Sequence, residues 1–224
     1  MPGALKPLGV HFHPLIAAVA RGLAAPLDEH AVAGISDWFD LIAAWNAKVD
    51  LTAARSAEEL ADLMLADGLF LARHLAPKGS LVDVGSGAGG PGLAVYLARP
   101  DVAVTLVEPL QKRVAFLRTV LGKVRAEGAF PSLSLKVVRA RGEDMAAEGQ
   151  RFDTAVARAT LPPREWLRLG AELIREGGAI WVLLAREEPP SLEGFRVTHD
   201  EAYMWPLTKA SRRAIRYERA ALGE

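Results

Sequence analysis

The chain contains no cysteine among its 224 residues. That removes disulfides, thiolate metal ligands and a cysteine nucleophile together, and it fits a reducing, cytoplasmic location. There is no excess of either charge: 27 basic and 27 acidic residues cancel, so the global field argues for neither a nucleic-acid nor a membrane partner. Any such partner must be met by a local basic patch. Long apolar runs are missing too. The stretch from Leu15 to Ala25 is interrupted by Arg21 and is shorter than the roughly 20 apolar residues that cross a bilayer. It lacks the basic opening of a signal peptide and reads as a helix of the mature protein. No membrane partner is expected, and no repeat or low-complexity tract is visible.

Half of the residues are hydrophobic, enough for one sizeable core with a modest extension. Between Asp28 and Lys48, Ile35, Trp38, Phe39, Ile42 and Trp45 recur at helical spacing. Ser56 with Glu59 is a capping-box signature, and apolar residues from Leu60 through Leu71 continue it as a helix. Residues 1–75 are therefore expected to form an N-terminal helical extension. From Ser80 the pattern changes. Leu81–Val84, Val102–Val107, Leu133–Val138, Thr154–Ala157 and Ile180–Leu184 read as short strands, separated by helical stretches near Leu93, Val114 and Trp166. This alternation predicts an α/β, Rossmann-like unit over residues 76–224: a mostly parallel sheet with helices on both faces. Phe195–Trp205 and Arg212–Arg219 are further strand candidates that could pair antiparallel at the sheet edge.

The densest motif is Asp83-Val84-Gly85-Ser86-Gly87-Ala88-Gly89-Gly90-Pro91-Gly92. Gly85, Gly87 and Gly89 follow a strand and precede a helix, where the backbone turns tightly and a ligand can approach without a Cβ in the way. Gly85, Gly87 and Gly90 also match the dinucleotide spacing, so the glycines alone leave nicotinamide and sulfonium cofactors tied. Glu108 ends the next strand, where a carboxylate can accept hydrogen bonds from both ribose hydroxyls, a feature shared by both cofactor classes. Asp83, just before the glycines, would repel a diphosphate and can help to hold the ammonium of a methionine moiety. No tyrosine has a lysine four residues on, as a hydride-transfer site would want. The balance moves to S-adenosylmethionine. A plain strand-to-helix turn is the bland alternative, but five glycines in eight positions cost conformational entropy unless something lies against them.

The next strand ends carry Arg141-Gly142-Glu143-Asp144 and Arg158-Ala159-Thr160. Glu143 or Asp144 could face the adenine, or simply favour a helix start. Arg158 ends an apolar strand, where a charge needs a polar cleft or a partner. The five tryptophans fall mostly on apolar faces and read as core. The five histidines have no metal-ligand spacing, and no metal is expected.

Several of these runs together resemble a known family, the bacterial small-subunit ribosomal RNA guanine-N7 methyltransferases (RsmG, or glucose-inhibited division protein B). The resemblance spans about Trp45 to Leu184: Trp45-Asn46 with Leu51-Thr52, the Asp83–Gly92 turn with its Pro91-Gly92 ending, Lys112-Arg113-Val114 with Phe116-Leu117-Arg118, Arg141 to Asp144, and Arg158-Ala159. It implies a methyltransferase sheet with an N-terminal helical extension and S-adenosyl-L-methionine as cofactor. The implied partner is ribosomal RNA or the small ribosomal subunit, and a monomer is expected. By resemblance, Gly85, Gly90, Gly142, Glu143 and Arg158 take cofactor-contacting positions and Glu108 the ribose position. The sequence departs from the family pattern in three places. Met64 replaces a usual histidine, Gly68 replaces a serine after Asp67, and Arg186-Glu187 replaces a lysine-glycine pair. All three are positions where the family is expected to meet its substrate.

Guanine N7 has a lone pair and no proton to lose, so its methylation needs no general base, only alignment and a site tolerant of positive charge. Arg158 is the sole catalytic candidate. The absent cysteine excludes cytosine-carbon methylation by a thiolate, and no Asn-Pro-Pro-aromatic run supports adenine amino methylation. Phosphate contacts would fall to basic residues around the cleft. Lys112, Arg113, Arg186, Arg212 and Arg213 are the leading candidates, with Arg118, Lys123, Arg125, Arg139, Arg158, Lys209 and Arg216 behind them. The competing readings are a methyltransferase of the same fold acting on a small molecule or protein, and a cofactor-binding RNA module without turnover. A dehydrogenase is a distant fourth.

Overall fold

The computed structural model describes residues 5–126 and 135–220. Among the described residues a 3-10 turn (Gly9–Phe12) and four α-helices precede the sheet: α1 (His13–Gly22), α2 (Glu29–Asn46), α3 (Ala57–Ala61) and α4 (Asp67–Ala72). Asp28 caps α2, its carboxylate accepting from the amide of Ala31 at 2.7 Å. The predicted capping box at α3 forms in a shifted version. Ser56 Oγ accepts from Glu59 N, while the Glu59 carboxylate reaches the amide of Arg55, one residue before the cap.

α3 and α4 are one helical rod joined by a wide π-type turn at Asp62–Ala66. Such a turn breaks the regular ladder and leaves carbonyls free for other donors. The carboxylates at its two ends, Asp62 and Asp67, are both buried, and both are satisfied from the far end of the chain. Asp62 accepts from the amides of Leu207 and Thr208 and from the Thr208 hydroxyl.

The sheet has seven strands in the order β3-β2-β1-β4-β5-β7-β6. They are β1 (Ser80–Val84), β2 (Ala103–Val107), β3 (Leu135–Val138), β4 (Phe152–Ala157), β5 (Ile174–Leu184), β6 (Phe195–Met204) and β7 (Ser211–Arg219). The first five are mutually parallel. β7 pairs antiparallel with β5 and with β6, as expected at the edge. Residues 133 and 134 of the predicted third strand lie outside the described residues. The crossovers carry α5 (Gly92–Ala98), α6 (Gln111–Ala126), α7 (Gly142–Ala147) and α8 (Pro163–Leu173).

Two apolar layers sandwich the sheet. On one face Phe12, Ile16, Trp38, Phe39 and Phe70 from the N-terminal helices join Leu81, Val104, Leu106 and Trp181. On the other, Val82, Val84 and Val107 meet Trp166, Leu167 and Leu173 of α8. Burial on both faces explains why these strands are continuous apolar runs rather than alternating ones. Strand order reverses between β1 and β4, and in open α/β sheets ligands bind in the crevice beyond the carboxyl ends at such a point.

Candidate functional site

A cavity of about 540 Å³ opens at that crevice. Its floor is the glycine-rich turn. Gly85, with φ of 74°, leaves β1 so close to the β4 end that an added Cβ would meet Thr160 Oγ1 at 2.3 Å. The amides of Gly85 and Ser86 both donate to the carbonyl of Val107, binding the turn to β2. At Gly87, φ is 56° and an added Cβ would meet only the Gly85 carbonyl oxygen, at an ordinary 3.8 Å. Here the chain presents bare backbone to the cavity.

Glu108 stands beside this turn, 2 % exposed. Its Oε2 accepts from Gly87 N and its Oε1 from Leu110 N, both at 2.9 Å. Each carboxylate oxygen retains a second lone pair, so the group is oriented by backbone yet can still accept from vicinal hydroxyls. Asp83 is placed differently. It is buried beneath the turn, where Oδ2 accepts from Gly92 N at 2.9 Å and anchors the start of α5. Burial pushes its carboxyl up to about 7, against the opposing pull of the Gly92 amide.

Gly85, Gly87, Gly90, Glu108, Arg113 and Arg158 are thus brought together around one cavity. Asp83, Gly89, Gly142 and Glu143 are not among its lining residues. Gly89 packs on Trp38 and Leu93, and Gly142 on Leu169 and Val84. Glu143 is exposed at the start of α7, beyond β3.

The cavity wall facing the turn is the segment Leu51–Ala53, and Asn46 explains its place. Asn46 Oδ1 accepts from the amides of Leu51 and Thr52, and its Nδ2 donates to the Thr52 carbonyl. Arg113 donates to the Asp50 carbonyl at 3.1 Å, fastening the same loop from α6. The paired Trp45-Asn46 and Leu51-Thr52 runs therefore act as one clasp.

Arg158 forms the remaining wall. Its Nη1 donates to the Leu63 carbonyl, exposed by the π-type turn, and lies 3.4 Å from Asp67 Oδ2. Asp67 in turn accepts from Tyr203 Oη at 2.7 Å and Trp205 Nε1 at 2.8 Å. Burial, then the negative charge of Asp67, pushes the Tyr203 phenol far above its ordinary value, so it stays a proton donor. This network was not read from the sequence. Its signal was an aspartate set in the apolar run Leu63-Met64-Leu65-Ala66-Asp67-Gly68-Leu69-Phe70.

The basic candidates scatter. Lys112 is exposed on the first turn of α6. Arg186 is exposed in the loop after β5, and the Arg212 guanidinium lies 3.8 Å from the Trp205 ring centroid. Arg213 pairs with Asp200 through two nitrogens, Arg216 pairs with Glu218, and Lys123 with Asp37. The side chain of Arg125 lies outside the described residues. Of the three departures from the family pattern, Met64 lines the cavity and Arg186 faces solvent. Gly68 does neither, which corrects the expectation for it. An added Cβ would meet Ala94 Cβ and the Pro91 carbonyl at 2.6 Å, so it is a helix-packing position between α4 and α5.

Away from the cleft, His74, His199 and Glu201 bring three ligand-type atoms within 4.8 Å. Spacing gave no hint of it, because β6 and the end of α4 meet only in the fold. His199 Nε2 is engaged with Glu201 Oε2 at 3.0 Å, and burial, then His199, lowers the pKa of His74. Among the described residues no helix is long and apolar enough to cross a membrane.

The GidB family model, described as rRNA small subunit methyltransferase G, matches residues 32–196. A protein of Anaeromyxobacter dehalogenans named ribosomal RNA small subunit methyltransferase G is 36 % identical over 214 residues, covering 92 % of this chain and 97 % of its own. One of the same name from Myxococcus xanthus is 31 % identical, over 75 % of this chain and 79 % of its own. Among solved structures, Escherichia coli yhhF, assigned as a methyltransferase, aligns with a TM-score of 0.52 at 15 % identity, over 68 % of this chain and 82 % of its own. That likeness speaks to the fold alone.

Proposed function

The chain belongs to the GidB family of small-subunit ribosomal RNA methyltransferases, and from that premise we propose that it methylates N7 of a guanine in small-subunit ribosomal RNA, using S-adenosyl-L-methionine. Family membership carries the reaction, and the geometric support for its cofactor half is Glu108, clamped by the Gly87 and Leu110 amides in the cavity at the switch point with lone pairs to spare for a ribose.

In this reading the Gly85–Gly90 backbone and Glu108 hold the nucleoside part. Gly142 and Glu143 flank it from the neighbouring strand end, since Glu108 N donates to Val138 O at the end of β3. Asp83 and Gly89 act through the turn, by fixing α5 and by allowing α2 to approach. The cofactor supplies an electrophilic methyl group when bound. The chain's own part is alignment. Leu51, Leu63 and Met64 exclude water, and Arg158 stands at the acceptor side with its charge balanced by Asp67 and the Leu63 carbonyl. No side chain need take a proton, because N7 has none to give. Phosphate contacts fall to Lys112, Arg113, Arg186, Arg212 and Arg213. The division into a helical extension, residues 1–75, and a cofactor-binding unit, residues 76–224, belongs to the same reading, as do a monomeric state and a cytoplasmic setting.

The test is transfer of label from S-adenosylmethionine to small subunits that lack the modification, with the product mapped by mass spectrometry. Label at guanine N7 is the expected result. Label on metabolites or protein instead of RNA, or cofactor binding without transfer, would overturn it.

A further inference from the structure

A second cavity, of about 190 Å³, adjoins the first. The two share Leu63, Arg158 and Ala159 as a common boundary. The smaller one is lined by apolar Leu161, Pro163 and Leu184, by Trp205 under the Arg212 guanidinium, and by three polar groups, Asp67, Arg158 and Glu187. At about 30 Å³ per water it holds roughly six waters, the scale of one flipped-out base rather than a base pair.

We propose that this chamber receives the acceptor base and that Glu187 makes it selective for guanine. The proposal rests on the guanine reading and sharpens it to a residue.

Geometry and edge chemistry lead there together. The methyl-accepting N7 must face the shared boundary, because the cofactor cleft lies on its other side. O6 is next to N7 on the same edge and meets the donors of Arg158. The opposite edge, with N1–H and the N2 amino group, then turns into the part of the chamber that the cleft does not share. Glu187 stands there. Its Oε2 accepts from the amides of Ala185 and Arg186 at 2.8 and 2.9 Å, a backbone clasp that leaves Oε1 to accept from a ligand. Those bonds hold its carboxyl below the ordinary range, so it is an acceptor at neutral pH. Guanine offers donors to it, whereas adenine offers the lone pair of N1 and is repelled. Arg212, its guanidinium 3.8 Å over the Trp205 ring, supplies a planar group of the kind on which unpaired bases stack.

The experiment uses the whole protein and small subunits reconstituted with guanosine or inosine at the methylated position. Inosine keeps N7 and O6 and lacks only the N2 amino group. Wild type should favour guanosine over inosine about tenfold or more in kcat/KM, the scale of one hydrogen bond to a charged acceptor. Glu187→Ala should lose about 10- to 100-fold on guanosine and bring the guanosine-to-inosine ratio near one, with the Kd for S-adenosylmethionine unchanged as evidence of an intact fold. Glu187→Gln, which keeps an acceptor oxygen, should fall between. An unchanged ratio in Glu187→Ala, with wild type still methylating guanine N7, would overturn this assignment alone. Absence of guanine N7 product from wild type would overturn the parent reading instead.

Discussion

The indole N–H of Trp38 donates to the carbonyl of Ala88 at 2.8 Å, tying α2 to the glycine-rich turn across 50 positions of sequence. The two groups are buried, and the Trp38 ring lies 3.1 Å from where Gly89 would carry a Cβ. The N-terminal helices therefore hold the turn in place as well as covering the sheet.

Trp38→Phe keeps most of the apolar volume and leaves the Ala88 carbonyl without its donor. A buried acceptor stripped of its partner costs about 1–3 kcal/mol. Urea denaturation should register that loss, and calorimetry with S-adenosylmethionine should register weaker binding. Intact affinity would mean that the turn is rigid without the indole.

Gly87→Val tests the turn directly. The site has room for a side chain but holds φ at 56°, a left-handed conformation costing a non-glycine residue roughly 1–2 kcal/mol. The valine would project into the cavity, so cofactor affinity should fall by more than the strain accounts for. Gly87→Ala should show a smaller loss. Equal cofactor binding by all three proteins would remove Gly87 from the site.

Asp83 gives a pH prediction. Its folded pKa of about 7 exceeds the ordinary 3.8. Between these values the folded state keeps a proton that the unfolded chain has released, so this group's stabilisation is full below pH ~4 and is lost as pH rises through about 7. Some three units at about 1.4 kcal/mol each set a ceiling near 4 kcal/mol. Asp83→Asn still accepts from Gly92 N and does not titrate. The stability of wild type relative to Asp83→Asn should thus decline from pH 4 to 7. A flat difference would contradict the buried-acid account.

The sheet was legible because strands buried on both faces are unbroken apolar runs, and the turn because its glycines are dense. α7 is six residues long, too short for helical periodicity, and only its two acids hinted at it. β5 begins at Ile174, earlier than expected, because Arg175 to Gly178 carry no strand pattern and are held by pairing of Ile174 with Phe152. The sequence placed Asp83, Gly89, Gly142 and Glu143 beside the ligand. Proximity along the chain cannot tell which side of a turn a residue faces, and Asp83 and Gly89 prove to face the core. Asp67 went unread because its partners, Tyr203 and Trp205, lie 136 and 138 positions away.

Gly68→Ser tests the close approach of α4 and α5. In this packing the new Cβ would fall 2.6 Å from both Ala94 Cβ and the Pro91 carbonyl, so α4 and α5 must separate. Overpacking of this kind costs typically 1–3 kcal/mol. A lower urea midpoint is expected, and an unchanged one would show that the helices yield freely.

Exposed Lys112 and paired Arg213 should differ in RNA binding. Lys112→Ala should weaken binding to small-subunit RNA and reduce the salt slope by nearly one. Arg213 already holds Asp200, so Arg213→Ala should change the slope less. The reverse order in a salt titration would move the RNA path toward β7.

Asp67 comes early in the chain and its two donors come near the end. During vectorial synthesis the glycine-rich turn, Glu108 and Arg158 all emerge before Trp205. A nascent chain stopped at β5 would have every strand of the parallel sheet and an Asp67 lacking both hydroxyl and indole. Completion of the wall formed by Arg158 and Asp67 is thus tied to completion of the polypeptide, and truncated products carry the glycine-rich floor of the cleft without that wall's full set of partners.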